Sequence, residues 1–123
     1  MIYSICIYNL ESVHVGPFVA SVRHGGLYRE LAHQLYSGYL GCDLLSSNAQ
    51  SNRFLLLEFW RSEAAFGAAQ DQPETKVLGL FLRNLAISCE DLGAFGFHPS
   101  RNLGMDTGES SPEFRDNDVE IAR

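Results

Sequence analysis

Residues Arg53 to Phe66, RFLLLEFWRSEAAF, constrain the fold more than any other part of the chain. A strand sends alternate side chains to opposite faces. Here Leu55, Leu57 and Phe59 fall on one face, while Phe54, Leu56 and Trp60 fall on the other, interrupted only by the acid Glu58. A strand apolar on both sides needs cover on both sides. In a chain of 123 residues, one face can be covered by the chain's own helices, and the other most economically by a second copy of the sheet. A homodimer is the expectation.

The flanking segments order themselves around this strand. Ile2 to Tyr8 alternates as a first strand. Gly16-Pro17 then punctuates the chain, Phe18 to Arg23 reads as a short helix, and Gly25-Gly26 breaks or bends it. Leu27, Tyr28, Leu31, Ala32 and Leu35 recur with the period of a helix that has one buried stripe, and Gly38 stops it. Tyr39 to Leu45 is a second strand, joined through the polar turn Ser46 to Asn52 to the two-faced strand as an antiparallel hairpin. After Trp60 come Ser62 as an N-cap, Glu63 at the positive helix end and the helix formers Ala64, Ala65, Ala68 and Ala69. Pro73 opens a further helix with Val77, Leu78, Phe81, Leu82 and Leu85 on one face, ending near Ser88. Leu92 to His98 reads as the last strand, with Phe95 and Phe97 on one side.

Strand, helix, strand, strand, helix, strand is an α+β order, the ferredoxin-like βαββαβ sandwich, with two helices covering one face of a four-stranded antiparallel sheet. Residues 1–98 make up this domain. Residues 99–123 differ in kind: from Ser100 onward six acidic residues stand against three arginines, with few apolar side chains. Such a stretch buries too little surface to offset its ordering entropy. It reads as an acidic tail, flexible or draped on a partner, with Phe114, Val119 and Ile121 available to dock on a neighbouring subunit.

Composition removes several function classes. Hydrophobic residues at 46% and charged ones at 20% suit a packed domain. No apolar run approaches the roughly 20 residues that span a bilayer, the helices lack basic faces for lying on one, and MIYSICIY has no basic leader region, so a cytoplasmic address is expected. A net charge of -6 without a Lys/Arg cluster argues against nucleic acid. Cys6, Cys42 and Cys89 are odd in number and set among apolar neighbours, as buried thiols are. No GxGxxG, GxxxxGK[ST], GxSxG, HExxH or CxxC occurs, and no two histidines stand at ligand spacing, so no metal is expected.

The segments YLGCDLL, FLLLEFW, RSEAAF and LGAFGF together resemble the antibiotic biosynthesis monooxygenase-like family of dimeric α/β barrels, over about Met1 to His98. That resemblance implies a dimer in which two sheets face each other. Its haem-degrading members use an asparagine on the first strand, a tryptophan ending the third and a histidine ligand one helix later. Asn9 and Trp60 match the first two, but Gln70 stands where the ligand would be, so no cofactor is expected. Its quinol-type members deprotonate an aromatic or polyketide-like substrate in a cleft between helices and sheet, and the carbanion passes an electron to dioxygen without flavin or metal. On this pattern Trp60 stacks, Asn9 donates to the oxyanion, Tyr28 or Tyr36 supplies a hydroxyl, and His24 or His33 is the base. Tyr36, Phe66, Phe81 and Glu58 are the candidate substrate contacts. Where the family carries a pocket tyrosine on the helix after the tryptophan, this chain has Phe66, which moves no proton.

Each of these residues also has a plain structural role open to it. Trp60 can anchor the core or the dimer interface. Tyr28 and Tyr36 can pack their rings with hydroxyls at the surface, and His24 can complement a helix end. Glu58 either pairs with Arg53, Arg61 or Arg83, the simpler expectation, or faces a pocket with a raised pKa and acts as a base. Two functions follow: a cofactor-independent monooxygenase, or a non-catalytic dimeric ligand-binding or accessory module of the same fold. An open cleft with convergent polar groups favours the first, a packed interior the second.

Overall fold

The computed structural model describes residues 1–96 and, for the backbone alone, 119–121. Its strands are β1 (Ile2–Leu10), β2 (Tyr39–Ser47), β3 (Arg53–Trp60), β4 (Ala86–Gly96) and β5 (Val119–Ile121). Its helices are α1 (Ser12–Val22), α2 (Leu27–Leu35), α3 (Glu63–Gln70) and α4 (Pro73–Arg83). The sheet runs β4-β1-β3-β2-β5, every pairing antiparallel. The first four strands with their covering helices are the α+β, ferredoxin-like arrangement. No helix among the described residues is long and apolar enough to cross a membrane.

β3 sits at the centre, pairing with β1 from Ile2↔Trp60 to Asn9↔Arg53 and with β2 from Tyr39↔Trp60 to Ser46↔Phe54. Its two faces are both used, as the alternation requires. On the helix side Phe54, Leu56 and Trp60 join Tyr8, Leu10, Leu44 and the fully buried Phe18 and Leu82 in one core. On the opposite side Leu55, Leu57 and Phe59 lie level with Ile7, Ile5 and Tyr3 of β1. Tyr3 and Phe59 meet edge to face with ring centroids 5.5 Å apart.

Several local expectations hold at atomic level. Ser62 caps α3, its hydroxyl accepting from the Ala65 N–H at 3.1 Å. Pro73 opens α4 where a missing N–H costs nothing. The β2–β3 turn needs a left-handed residue, and Asn52 supplies it at φ 63°. Gly38, with φ +90°, ends the α2 connection, and a Cβ there would stand 2.6 Å from the Ala65 Cβ. The three cysteines are free thiols, Cys42 buried and the other two half-buried.

Three boundaries differ from the sequence reading. α1 begins at Ser12 and runs through Pro17 instead of starting after it. Proline removes one helical hydrogen bond, but Phe18 buries completely against Tyr8 and Phe54, with Phe18–Tyr8 centroids at 5.0 Å, Val22 is buried in the same core, and this packing outweighs the loss. α4 stops at Arg83, not near Ser88, and β4 starts at Ala86, not Leu92. The cause is β1, whose nine residues need a partner: Tyr8 pairs with Cys89 and Asn9 with Ser88, a ladder that local propensity does not reveal. On α4 only Leu78 and Leu82 of the expected stripe are fully buried, while Val77 is 70% and Phe81 37% exposed.

The tail expected over residues 99–123 lies outside the described residues, except that the backbone of Val119–Ile121 adds to the β2 edge at Ser47, Ser46 and Leu45 of its own chain. Residues 97 and 98 of the expected last strand lie outside as well.

Gly26 and Gly67 make opposite predictions. Any Cβ at Gly26, in the α1–α2 turn, collides with the backbone oxygens of Ala20 and Ser21. Gly67, inside α3, has open space where its Cβ would be. Urea denaturation is expected to show Gly26→Ala losing about 2 kcal/mol or more and Gly67→Ala gaining about 0.5–1 kcal/mol.

Candidate functional site

Between the helices and the sheet lies a cavity of about 400 Å³. Its floor comes from even-numbered positions of the central strands: Ser4, Cys6 and Tyr8 of β1, and Glu58 and Trp60 of β3. Strand alternation dictates this set, because the same face that buries Leu56 and Phe54 must carry Glu58. Its walls come from Tyr28 and Tyr36 around α2, Phe66 and Gln70 of α3, and Thr75, Gly79 and Arg83 of α4.

Glu58 is the chemical centre of the cavity. One carboxylate oxygen, Oε2, accepts hydrogen bonds from the hydroxyls of Tyr28 and Tyr39, each at 2.8 Å. Burial pushes the carboxyl pKa up, the two tyrosine hydrogen bonds pull it down, and the net direction is upward. The ion pair expected with Arg53, Arg61 or Arg83 is not formed; the partners of the carboxylate are the two phenols. The outcome is the other alternative for this residue: an acid facing a pocket with its affinity for a proton raised.

The phenols around it stay neutral. Burial is the largest cause raising the pKa of Tyr8, Tyr28, Tyr36 and Tyr39, and the nearby Glu58 charge adds to it in each case. They are therefore donors, not proton acceptors, at any ordinary pH. Tyr8 also makes hydrogen-bond contacts with the Cys6 and Cys89 thiols. Burial pushes Cys6 up to about 12, which keeps it a neutral thiol. Arg83 is the cavity's one cation, folded back so that its Nη2 would stand 3.5 Å from a Cβ on Gly79.

The aromatic wall is continuous. Trp60 packs against Phe66 at 5.5 Å, Tyr36 at 5.5 Å and Tyr39 at 5.1 Å between centroids. Its indole N–H donates to the Ser4 hydroxyl at 3.1 Å, so the ring is fixed in orientation. Trp60 is thus both a core anchor and a cavity wall, the two roles that the sequence left open.

Of the residues singled out from sequence, the cavity gathers Glu58, Trp60, Tyr28, Tyr36 and Phe66. The hydroxyl of Tyr28 points inward to Glu58, not to the surface. Asn9 is not among them: its position on β1 faces away from the helices, its Nδ2 donates to Ser88 Oγ at 3.0 Å, and its Oδ1 accepts from Arg53 at 3.4 Å. An oxyanion in the cavity is out of its reach. His24 lines a different cavity, and His33 stands edge-on to Tyr39 with centroids 5.0 Å apart, outside the cavity lining. Phe81 does not line the cavity either, because it lies off the Leu78–Leu82 stripe that faces the sheet.

Tyr39 was missed, although the hairpin register that sets it opposite Trp60 is a signal for it. Arg83 was expected only as a possible ion-pair partner of Glu58, and the structure instead puts it in the cavity lining. Among the described residues no group of three or more His, Cys, Asp or Glu could hold a metal ion.

Residues 27–78, from α2 to mid-α4, match the family model of antibiotic biosynthesis monooxygenases. No match was found among curated proteins. Among solved structures, the chain is similar to a candidate antibiotic biosynthesis monooxygenase from Deinococcus radiodurans, at TM-score 0.61 and 16% identity over 81% of this chain and 95% of that one. It is similar to SnoaB, a cofactor-independent oxygenase from Streptomyces nogalater, at TM-score 0.58 and 16% identity over 80% and 94%. A candidate monooxygenase of the same kind from Nitrosomonas europaea gives TM-score 0.59 and 14% identity over 80% and 91%. At these identities the likeness establishes the fold.

The buried carboxyl makes a stability prediction. Its folded pKa lies above the ordinary value of 4.5, so the folded chain binds the proton more tightly than the unfolded one. The contribution to stability is then fully present below that value and is lost as pH rises through the folded pKa. Glu58→Gln keeps an acceptor for the tyrosines without the charge. Its stability relative to the parent should therefore climb as pH rises above 4.5 and level off above the folded pKa, as thermal melts across pH would show. Glu58→Ala strands both hydroxyls and should lose about 2 kcal/mol at acid pH, the loss shrinking as pH rises through the folded pKa.

Proposed function

We propose that the cavity is the active site of a cofactor-independent monooxygenase acting on a small aromatic or polyketide-like substrate, and that the chain works as a homodimer. The observation that carries the activity is Glu58: a carboxylate with raised proton affinity in an aromatic cavity of about 400 Å³, not spent on an ion pair. A packed interior would have favoured an accessory module. The family match over residues 27–78 and the likeness to SnoaB, itself a cofactor-independent oxygenase, support the same reading.

The residues divide the work by their chemistry. Oε2 of Glu58 is occupied by two phenols, which leaves Oε1 to take a proton from an acidic C–H or O–H of the substrate. Trp60 and Phe66 offer a flat apolar wall for the ring system. The Arg83 guanidinium, on the same cavity, stabilises the oxyanion of the deprotonated substrate. That carbanion passes one electron to dioxygen, and the radical pair joins as a peroxide. Loss of water then turns a ring methylene into a carbonyl, with one oxygen atom kept and one released as water. The neutral tyrosines hold the base in place throughout.

The dimer reading rests on the sheet face away from the helices. Tyr3, Ile5, Ile7, Leu55, Leu57 and Phe59 form a contiguous apolar surface there, and Phe95 at its edge is 50% exposed. A second copy laid sheet to sheet covers it. One residue speaks for the alternative of a non-catalytic binding module: Phe66 has no hydroxyl at a position where the family carries a pocket tyrosine. Oxygen uptake separates the two.

Purified protein is expected to consume dioxygen when supplied with anthrones or quinols, and Glu58→Gln to slow this by about a hundredfold or more. The parent rate should fall on acidification with a midpoint above 4.5. An oxygen electrode trace no steeper than buffer across the panel would leave the binding module as the better reading. In sedimentation equilibrium at micromolar concentration the parent should be a dimer, and Leu57→Asp should weaken it by at least about thirtyfold.

A further inference from the structure

Three residues of α4 line the cavity around Glu58: Thr75, Gly79 and Arg83. They stand four apart in sequence, so one face of the helix carries all three. We propose that Gly79 is a specificity-determining residue: the side chain it lacks leaves the α4 side of the cavity wide enough for a fused polycyclic ring system, and any larger residue there would restrict the cavity to single rings. This role rests on reading the cavity as the substrate site.

The fold itself does not require a glycine at this place. Gly79 lies inside the 11-residue α4 and is not among the glycines with positive φ. A Cβ there would meet no backbone, only the Arg83 Nη2 at 3.5 Å, an ordinary van der Waals distance to the end of a flexible side chain. Gly26 is the contrast, because its Cβ would collide with backbone oxygens. Glycine inside a helix costs stability relative to almost any other residue. At Gly79 no close approach of chains offsets that cost. Gly16 and Gly67 also sit in helices with open space around them, but neither lines the cavity. Only at Gly79 does the missing side chain enlarge the place where a ligand would lie.

Its two neighbours on the helix face are already committed. The Thr75 hydroxyl donates to the Ala69 carbonyl oxygen of α3, which ties it to the junction of the two helices. Arg83 folds back along α4, with its guanidinium over the bare Gly79 backbone. The depth between them is therefore set by residue 79. Trp60 and Phe66, with ring centroids 5.5 Å apart, give the cavity an apolar wall broader than one ring. A planar ligand that uses the whole of that wall also needs width on the α4 side, whereas a single ring does not. A side chain of leucine size at residue 79 would remove that width and push the guanidinium outward.

The test follows the one indole N–H resonance of the full chain, that of Trp60 on the cavity wall, during titration with anthraquinone-2-sulfonate and with benzenesulfonate. The two probes share an anionic group and differ in ring number. Gly79→Leu should weaken the tricyclic probe at least about thirtyfold, as overfilling a packed site does, and change the monocyclic one by less than about twofold. Gly79→Ala should raise the melting temperature by about 3 °C. Arg83→Gln should weaken both probes by a similar factor, which separates loss of the cation from loss of width, and Gly67→Ala should alter neither affinity. Equal weakening of both probes by Gly79→Leu, an unchanged tricyclic affinity, a lower melting temperature for Gly79→Ala, or no movement of the Trp60 resonance with the tricyclic probe would each overturn the proposal. A parent that binds the tricyclic probe through Gly79 yet consumes no dioxygen would sink the oxygenase and leave this role standing. Anthrone oxidation undiminished in Gly79→Leu would do the reverse.

Discussion

The whole arrangement depends on β3 being apolar on both faces and carrying a single acid on one of them. Two-sided burial puts this strand at the sheet centre, between β1 and β2. Once it is central, the helix side must be roofed, and any polar group on that side must find partners away from water. Glu58 finds them in Tyr28 and Tyr39. A residue that would be an error in an ordinary core strand instead organises the hydroxyls around it, and a cavity opens where packing around a carboxylate cannot be as close as packing around leucine.

The electrostatics of that cavity follow from burial more than from charge pairing. Four tyrosines and the two thiols Cys6 and Cys89 all shift toward their protonated forms, with desolvation first among the causes. The site thus holds many donors and two carboxylates, Glu58 and Asp91. A general base works best with a pKa near the working pH, and burial is what carries Glu58 upward, where a neighbouring cation would pull it down. Without an arginine partner Glu58 keeps its raised proton affinity, and the same feature makes the residue costly to the fold at high pH.

Much of the fold was legible in the sequence because its signals are local and periodic: the alternation in Ile2 to Tyr8, the helical stripe from Leu27 to Leu35, Ser62 and Pro73 at their helix starts. The misplaced boundaries are those decided by distant partners. Ala86 to Asp91 could continue a helix, and only pairing with β1 makes it a strand. Pro17 looks like a break, and only the burial of Phe18 and Val22 carries the helix across it. The cavity divides in the same way. Glu58, Trp60, Tyr28, Tyr36 and Phe66 were legible as unusual or aromatic residues near the central strand. Asn9 was assigned by likeness to a pattern, yet strand parity alone puts it on the other face from Tyr8, and Arg83 arrives through a helix crossing that no local pattern announces.

The first turn of α2 ties the two cavities together. Adjacent residues on a helix point about 100° apart, so Tyr28 reaches into one cavity to hold Glu58 while Arg29 reaches to the Cys42 carbonyl at the edge of the other. Cys42 and Glu58 are themselves paired across β2 and β3, and Tyr39 touches both. Gly26, packed on the Ala20 and Ser21 backbone with no room for even one carbon, takes the slack out of the turn before them. A shift of α2 along its axis cannot change one hydrogen bond and spare the other.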